Sequence, residues 1–308
     1  MKLHTLVSAT HTPFHADGSL APEKVDAQAA FLAQQGITHV FITGSTGEAH
    51  SLTRDERLEM FRTWEKAAAA HKLHVIAHCG TNCLEDAKAY ARAAQEHGFV
   101  GVSALAPSYF KPSSVEVLVE WCAAIAACCP NLPFYYYDIP ALTQVHLPMD
   151  KFLEAADAVI PNLAGIKFTN TDLTAYLKAR RACGGKFDLP WGVDEMIVGA
   201  FATGARGGVG STYNFAPKLN QSLVAACLRK DEEEAHRLQA ISIRMIDTIA
   251  STGYLGTAKA LMKKIGVDVG PARLPLGNPT TAQIESLWQA LQDQGYNEWA
   301  LHTSVSAS

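Results

Sequence analysis

The sequence predicts an α/β fold: a parallel (β/α)8 TIM barrel carrying a C-terminal helical extension. Three observations carry that expectation. Eight short apolar runs recur along the first two-thirds of the chain at a spacing of about 30 residues, the length of one strand with its crossover helix. Helix-like segments with identifiable starts and stops separate them. After the eighth run only helical patterns follow, and no linker or low-complexity stretch divides the chain.

The runs are Leu6 to Thr10, His39 to Thr43, His74 to His78, Val100 to Leu105, Phe134 to Tyr137, Leu163 to Phe168, Phe187 to Val193 and Gly207 to Ser211. They are near-continuously apolar, as strands buried on both faces must be. Between them, Pro22 occupies a first-turn position, Thr53 precedes Glu56 by three residues and Ser113 precedes Glu116 by three, each a helix start. Gly36 and Gly98 stand where helices should stop. Later patterns cover Pro217 to Arg229, Asp231 to Thr252, Thr257 to Ile265 and Thr280 to Asp293. Residues 1–228 are therefore expected to form the barrel and 229–308 an extension that covers it or makes a subunit contact. The Ser and Ala tail after Leu301 should fray.

Hydrophobic residues make up 48% of the 308 and charged residues 18%, the balance of an ordinary globular chain with ample surface to bury. A formal net charge of −4 without a basic cluster argues against nucleic acid or an anionic membrane as partner. A small-molecule substrate fits better. Seven scattered cysteines, two of them adjacent at Cys128 and Cys129, do not make a secreted disulfide framework. With neither a signal peptide at Met1 to Thr5 nor a long apolar span, the expected location is the cytoplasm.

In parallel barrels chemistry gathers at the C-terminal ends of the strands. Lys167 closes the apolar run Leu163 to Thr169, so it must be paired, neutral or functional. A neutral amine can attack a ketone to form a Schiff base; a structural ion pair is the plain alternative. Tyr137 ends the fifth run, Pro133-Phe134-Tyr135-Tyr136-Tyr137-Asp138-Ile139-Pro140, where alternation sends Tyr135 and Tyr137 to one side and Tyr136 to the other. A phenol beside Lys167 could relay a proton, although most tyrosines in such a run pack the core. Gly44-Ser45-Thr46-Gly47-Glu48 offers backbone and hydroxyl donors suited to a carboxylate. It is equally readable as a plain turn, and it lacks the Lys of a phosphate loop.

Two rival readings concern other residues. His71, His74, His78, Cys79 and Cys83 cluster in sequence, but their spacing matches no strong zinc pattern, and no metal is expected. The glycine-rich run Gly204 to Gly210 with Arg206 could cradle a phosphate or simply lead tightly into the eighth strand.

On these residues the chain resembles the pyruvate-dependent class I aldolases of the dihydrodipicolinate synthase and N-acetylneuraminate lyase family. The likeness runs through Thr10-His11-Thr12-Pro13-Phe14, Gly44 to Glu48, Tyr137-Asp138-Ile139-Pro140 and Gly165-Ile166-Lys167-Phe168-Thr169. Tyr137 to Thr143, Gly192-Val193-Asp194-Glu195 and Gly210-Ser211-Thr212-Tyr213-Asn214 resemble the lyase branch. The resemblance implies cleavage of sialic acid to N-acetylmannosamine and pyruvate. It implies that Lys167 forms the Schiff base, that Tyr137 moves the proton and that Ser45 and Thr46 hold the pyruvyl carboxylate. It further implies that Thr169, Gly192, Asp194, Glu195 and Ser211 meet the sugar, with Tyr109 an aromatic at the site or at a subunit contact. No cofactor and a homotetramer are implied as well. Synthase relatives carry an arginine where this chain has Leu142, which disfavours an acidic aldehyde. Asp138 and Gln144 depart from the lyase pattern and bear on fine specificity. Another pyruvate-dependent aldolase of the same family acting on a different keto sugar acid is the enzymatic alternative, and a keto-sugar-binding sensor without turnover is the non-enzymatic one.

Overall fold

The computed structural model describes residues 2–302, so the expected fraying falls mostly outside the described residues. The fold is α/β, and its parallel strands are β1 (Leu6–Ala9), β2 (His39–Ile42), β3 (His74–His78), β4 (Gly101–Leu105), β5 (Phe134–Asp138), β6 (Leu163–Phe168) and β7 (Gly208–Gly210). They form one seven-stranded sheet in the order β6-β5-β4-β3-β2-β1-β7. The helices are α1 (Val25–Gln34), α2 (Arg54–His71), α3 (Leu84–Glu96), α4 (Val115–Ala126), α5 (Pro140–Thr143), α6 (Met149–Ala156), α7 (Leu173–Arg181), α8 (Ile197–Ala202), α9 (Pro217–Arg229), α10 (Glu232–Ala250), α11 (Tyr254–Lys264), α12 (Thr281–Asp293) and α13 (Tyr296–Trp299).

The strands separate two cores. Val7, Ala9, Phe41, Ile76, Leu105, Tyr135, Tyr137 and Val209 pack with one another on one face. Val40, Ile42, Val75, Ala77, Val102, Ala104, Phe134, Tyr136, Ile166 and Phe168 point the other way, into the layer under the helices. A period of two along each strand therefore sorts the side chains, and the sheet curls around its inner set.

The seventh expected strand is corrected here. Residues 187–193 form no regular strand; Asp188 and Trp191 make isolated parallel bridges to Gly165, Phe168 and Gly208. The reason is local. Pro190 carries no N–H for a continuous ladder, although its carbonyl accepts from Phe168 N at 2.9 Å and Trp191 N donates to Gly207 O at 3.0 Å. The segment thus hydrogen-bonds to β6 on one side and to the approach of β7 on the other. Gly165 permits this contact, since a Cβ there would lie 1.7 Å from the Asp188 carbonyl oxygen.

Helix starts follow the sequence signals with one shift. Thr53 and Glu56 form a reciprocal capping box at α2, an arrangement worth roughly 1 kcal/mol. At α4 the cap is Ser114, accepting from Val117 N, rather than Ser113. Pro22 opens a short 3-10 turn leading into α1, and Gly36 and Gly98 follow helix ends with positive φ. Beyond β7, α10 packs on α9 and α8 and also reaches the Asp194 segment. Gln239 on α10 fixes that segment by accepting from Val198 N at 3.1 Å and donating to Asp194 O at 3.1 Å.

Candidate active site

Parallel register places Tyr137 directly opposite Lys167 on neighbouring strands β5 and β6. Both side chains point inward, because both occupy the inward phase of their strands. Lys167 Nζ lies 3.4 Å from the centroid of the Tyr137 ring and 5.2 Å from that of Phe41, and it donates to Thr169 Oγ1 at 3.1 Å. The amine is buried, and burial lowers its pKa from the ordinary lysine value against opposing pulls from Tyr137 and Asp194. No carboxylate lies within ion-pair distance of it among the described residues. The plain reading of Lys167 as half of a structural ion pair is therefore not what the geometry gives.

The Gly44 to Glu48 loop leaves β2 through Thr43 at φ 50° and ends in Glu48 at φ 52°. Ser45 Oγ comes within 3.4 Å of Tyr137 OH, so the loop and the lysine–tyrosine pair face one space. Behind the loop, Thr12 Oγ1 donates to Gly47 O at 2.6 Å. Glu48 accepts from Lys259 Nζ at 2.8 Å and from Arg273 N at 2.8 Å. Both charged side chains of that ion pair are fully buried.

On the opposite wall Asp194 is buried and accepts from Thr212 N at 3.1 Å and Thr212 Oγ1 at 2.7 Å. Burial raises its pKa despite those donors. Close approach requires glycine at two positions nearby: a Cβ at Gly192 would fall 2.0 Å from Thr169 Oγ1, and one at Gly210 would fall 2.0 Å from Asp194 Oδ1. Ser211 Oγ lies 2.7 Å from Tyr254 OH.

These groups enclose a cavity of about 500 Å³, within the range that takes a small-molecule ligand. Every residue expected to bind substrate lines it: Ser45, Thr46, Thr169, Gly192, Asp194, Glu195 and Ser211, together with Lys167 and Tyr137. Leu142 lines it too. Tyr109 does not; it is 78% exposed and packs edge-on against Phe110, which is also exposed. Asp138 points to the other side of β5, buried, with Asn170 Nδ2 donating at 3.3 Å. Gln144 ends α5 in the left-handed region at φ 56°, a conformation that suits glycine.

Sequence reasoning missed Ile246 on α10, Tyr254 and Leu255 on α11, and Leu276, which roof the cavity. Their signal was weak, because residues far along the chain on amphipathic helices read as ordinary packing. The rival clusters disperse. His71 contacts Asp26 at 2.9 Å, His74 is exposed, His78 and Cys79 are buried and Cys83 is exposed. No group of three or more His, Cys, Asp and Glu able to hold a metal occurs among the described residues. Arg206 lies at a separate groove of about 550 Å³ beside α8, α9 and α10, away from Lys167.

The model of the dihydrodipicolinate synthetase family matches residues 2–294. The chain belongs to this family. Among curated relatives it is 34% identical over 278 residues to N-acetylneuraminate lyase A of Xenopus laevis, covering 89% of this chain and 91% of that protein. The structure of Proteus mirabilis N-acetylneuraminate lyase superposes with a TM-score of 0.92 at 35% identity, over 96% of this chain and 100% of that one. N-acetylneuraminate lyase of Aliivibrio salmonicida, also named sialic acid aldolase, gives a TM-score of 0.92 at 36% identity, over 96% and 98% of the two chains. No described helix is long and apolar enough to cross a membrane.

Proposed function

We propose that the protein is a class I aldolase that reversibly cleaves N-acetylneuraminate, a sialic acid, to N-acetylmannosamine and pyruvate. The observation that carries this reading is the pairing of a buried Lys167 amine with Tyr137 across β5 and β6, facing the Ser45 loop in one cavity. A binding module has no need of a nucleophile and a proton relay together. Relatives bearing the lyase name cover most of the chain.

In this mechanism neutral Lys167 attacks C2 of the open-chain keto acid, and loss of water from the carbinolamine leaves an iminium. Tyr137, left as phenolate by the proton it gives to the departing carbinolamine hydroxyl, takes the C4 hydroxyl proton, the C3–C4 electron pair moves into the iminium, and N-acetylmannosamine departs as the aldehyde. The remaining enamine takes a proton at C3, and water releases pyruvate and the free amine. The iminium is the electron sink, so the reaction calls for no metal or organic cofactor. Ser45 and Thr46 hold the carboxylate by hydroxyl and N–H donors, while Thr169 orients the amine through its 3.1 Å hydrogen bond. Gly192, Asp194, Glu195 and Ser211 meet the sugar end.

Leu142 argues against an acidic aldehyde, since it offers no counter-charge to a second carboxylate, and Asp194 and Glu195 would repel one. The hydrogen bonds that residues 188–192 make on both sides support a closed eight-stave barrel over 1–228, with 229–308 as the helical extension. The boundary falls at the C-terminal end of α9, just before its last residue, Arg229. A cytoplasmic homotetramer is part of the proposal: seven free thiols suit a reducing compartment, and exposed Tyr109 and Phe110 suit a subunit contact.

Incubation with N-acetylneuraminate should release pyruvate and N-acetylmannosamine in equal amounts, and borohydride added with pyruvate should leave a covalent mass increment on Lys167. A clear preference for condensing pyruvate with aspartate semialdehyde over N-acetylmannosamine would refute the lyase assignment. Binding of sialic acid without pyruvate release would favour the sensor.

A further inference from the structure

Thr43, the residue that launches the Ser45 loop, is buried at φ 50°. A β-branched residue in the left-handed region is an outlier that persists only where its surroundings over-determine it. Here the surroundings are two side chains, Arg57 of α2 and His78 of β3, whose Nδ1 lies 3.0 Å from Thr43 O. Arg57 is 1% exposed. Its Nη2 donates to Thr43 O at 3.4 Å and to His78 O, and lies 2.9 Å from His78 Nδ1. Its Nη1 donates to Gly80 O at 3.0 Å, and its guanidinium sits 4.4 Å from the Tyr90 ring centroid. The Thr43 hydroxyl donates in turn to His78 O at 3.1 Å.

A buried guanidinium normally has a carboxylate. Among the described residues none lies within ion-pair distance of Arg57, and Asp86, the acid that acts on it from farther off, is already paired with Arg54 at 3.4 Å. The fork is instead spent on carbonyls at the C-terminal ends of β2 and β3, directly behind the loop. His78 adds no charge, because burial and Arg57 both hold its pKa well below the usual histidine value. It touches the site by its ring, whose centroid is 5.6 Å from that of Tyr137. The guanidinium stays protonated, so one net positive charge is stored under the carboxylate loop.

We propose that Arg57 is a positioning residue whose buried, carboxylate-free guanidinium is the counter-charge for the carboxylate of the keto acid. The inference rests on the aldolase reading of the cavity. Chain reach from Thr43 to Ser45 puts the two charges about 10 Å apart. At an effective dielectric of about 20, that attraction is worth roughly tenfold in affinity for an anionic ligand over a neutral one of the same shape.

The test compares pyruvate with methyl pyruvate, which keeps the ketone and loses the charge. Each is titrated into the full-length protein with borohydride, and the adduct on Lys167 is read by mass. In Arg57→Gln the half-saturating pyruvate concentration should rise about tenfold while that of the ester moves less than about twofold. Equal shifts for both ligands, or no shift, would overturn the proposal. Should Arg57→Gln fail to fold, Arg57→Met takes its place under the same two criteria, because its apolar side chain removes the charge and leaves no polar group of its own buried and unpaired. A wild-type protein that gives no pyruvate adduct at Lys167 would sink the aldolase reading itself, an outcome separate from an adduct whose ligand preference ignores Arg57.

Discussion

Replacing Asp138 by Asn should stabilise the protein above neutral pH and do almost nothing in acid. The carboxyl is buried behind β5 with a single donor, Asn170 Nδ2 at 3.3 Å, and burial pushes its pKa up to about 7 from 3.8. Because the folded value is raised, the folded state holds the proton between those limits while the unfolded chain has released it. The contribution of Asp138 is therefore fully present below the unfolded value and is lost as pH rises through the folded one. A difference of 3.2 between the two values corresponds to about 4 kcal/mol at pH 8. Asn has nearly the same shape, its amide oxygen can accept from Asn170, and it never needs to ionise. Urea unfolding of both proteins at pH 4, 6 and 8 measures the effect. The variant should match the native chain near pH 4, lead part-way at pH 6 and lead by about 2–4 kcal/mol at pH 8. A difference independent of pH, or a loss of stability at pH 8, would refute the reasoning. The cavity lining does not include Asp138, so kcat should change little.

Three other outcomes follow from the site and its supports. Tyr137→Phe should lower kcat by about 10²- to 10⁴-fold while leaving the borohydride adduct on Lys167 intact, measured by product release and by mass; an unchanged rate would remove the phenol from the proton transfer. Lys259→Met strands the buried Glu48 carboxylate and should cost about 3–5 kcal/mol by urea unfolding, whereas the double variant Lys259→Met with Glu48→Gln should recover much of that loss. Additive losses would mean that the pair is not coupled. Leu142→Arg should raise turnover with aspartate semialdehyde relative to N-acetylmannosamine by about tenfold, the value of one new charge-assisted contact.

What the sequence made legible was mostly what strand geometry makes legible. Alternation along Phe134 to Asp138 is enough to turn Tyr137 inward and Tyr136 outward, as the two cores confirm. A charged residue ending an apolar run is enough to single out Lys167, which has no carboxylate within ion-pair distance among the described residues. The seventh strand was harder, since its apolar content reads as a strand while Pro190 breaks the ladder into isolated bridges. Ser113 in place of Ser114 is a one-residue error of the kind that two adjacent hydroxyls invite. Tyr254, Leu255 and Leu276 were illegible for another reason: their helical spacing says that one face is buried, but not that it is buried over a cavity. Arg57 was invisible as well, because an arginine in the first turn of a charged helix reads as solvated until its depth is known.

The C-terminal helices reach into the supports of the candidate site itself. Lys259 on α11 reaches back to Thr12 O at 2.9 Å and to Glu48. The Arg273 backbone binds the other Glu48 oxygen, while its guanidinium grips Glu56 at the cap of α2 and Ser51 O at 2.8 Å. The two ends of the Gly44 to Glu48 loop are thus held from opposite directions: Thr43 by Arg57 and His78 from below, Glu48 by Lys259 and Arg273 from the C-terminal segment. A loop with positive φ at both ends is costly to hold in one shape, and two buried cations with unlike partners supply that restraint. Pre-setting the loop before substrate arrives spares the ordering entropy at the moment of binding. The cations must lie on elements distant in sequence, because a local turn has too few neighbours to bury a charge. That requirement ties α2 and α11, far apart along the chain, to the same five-residue loop.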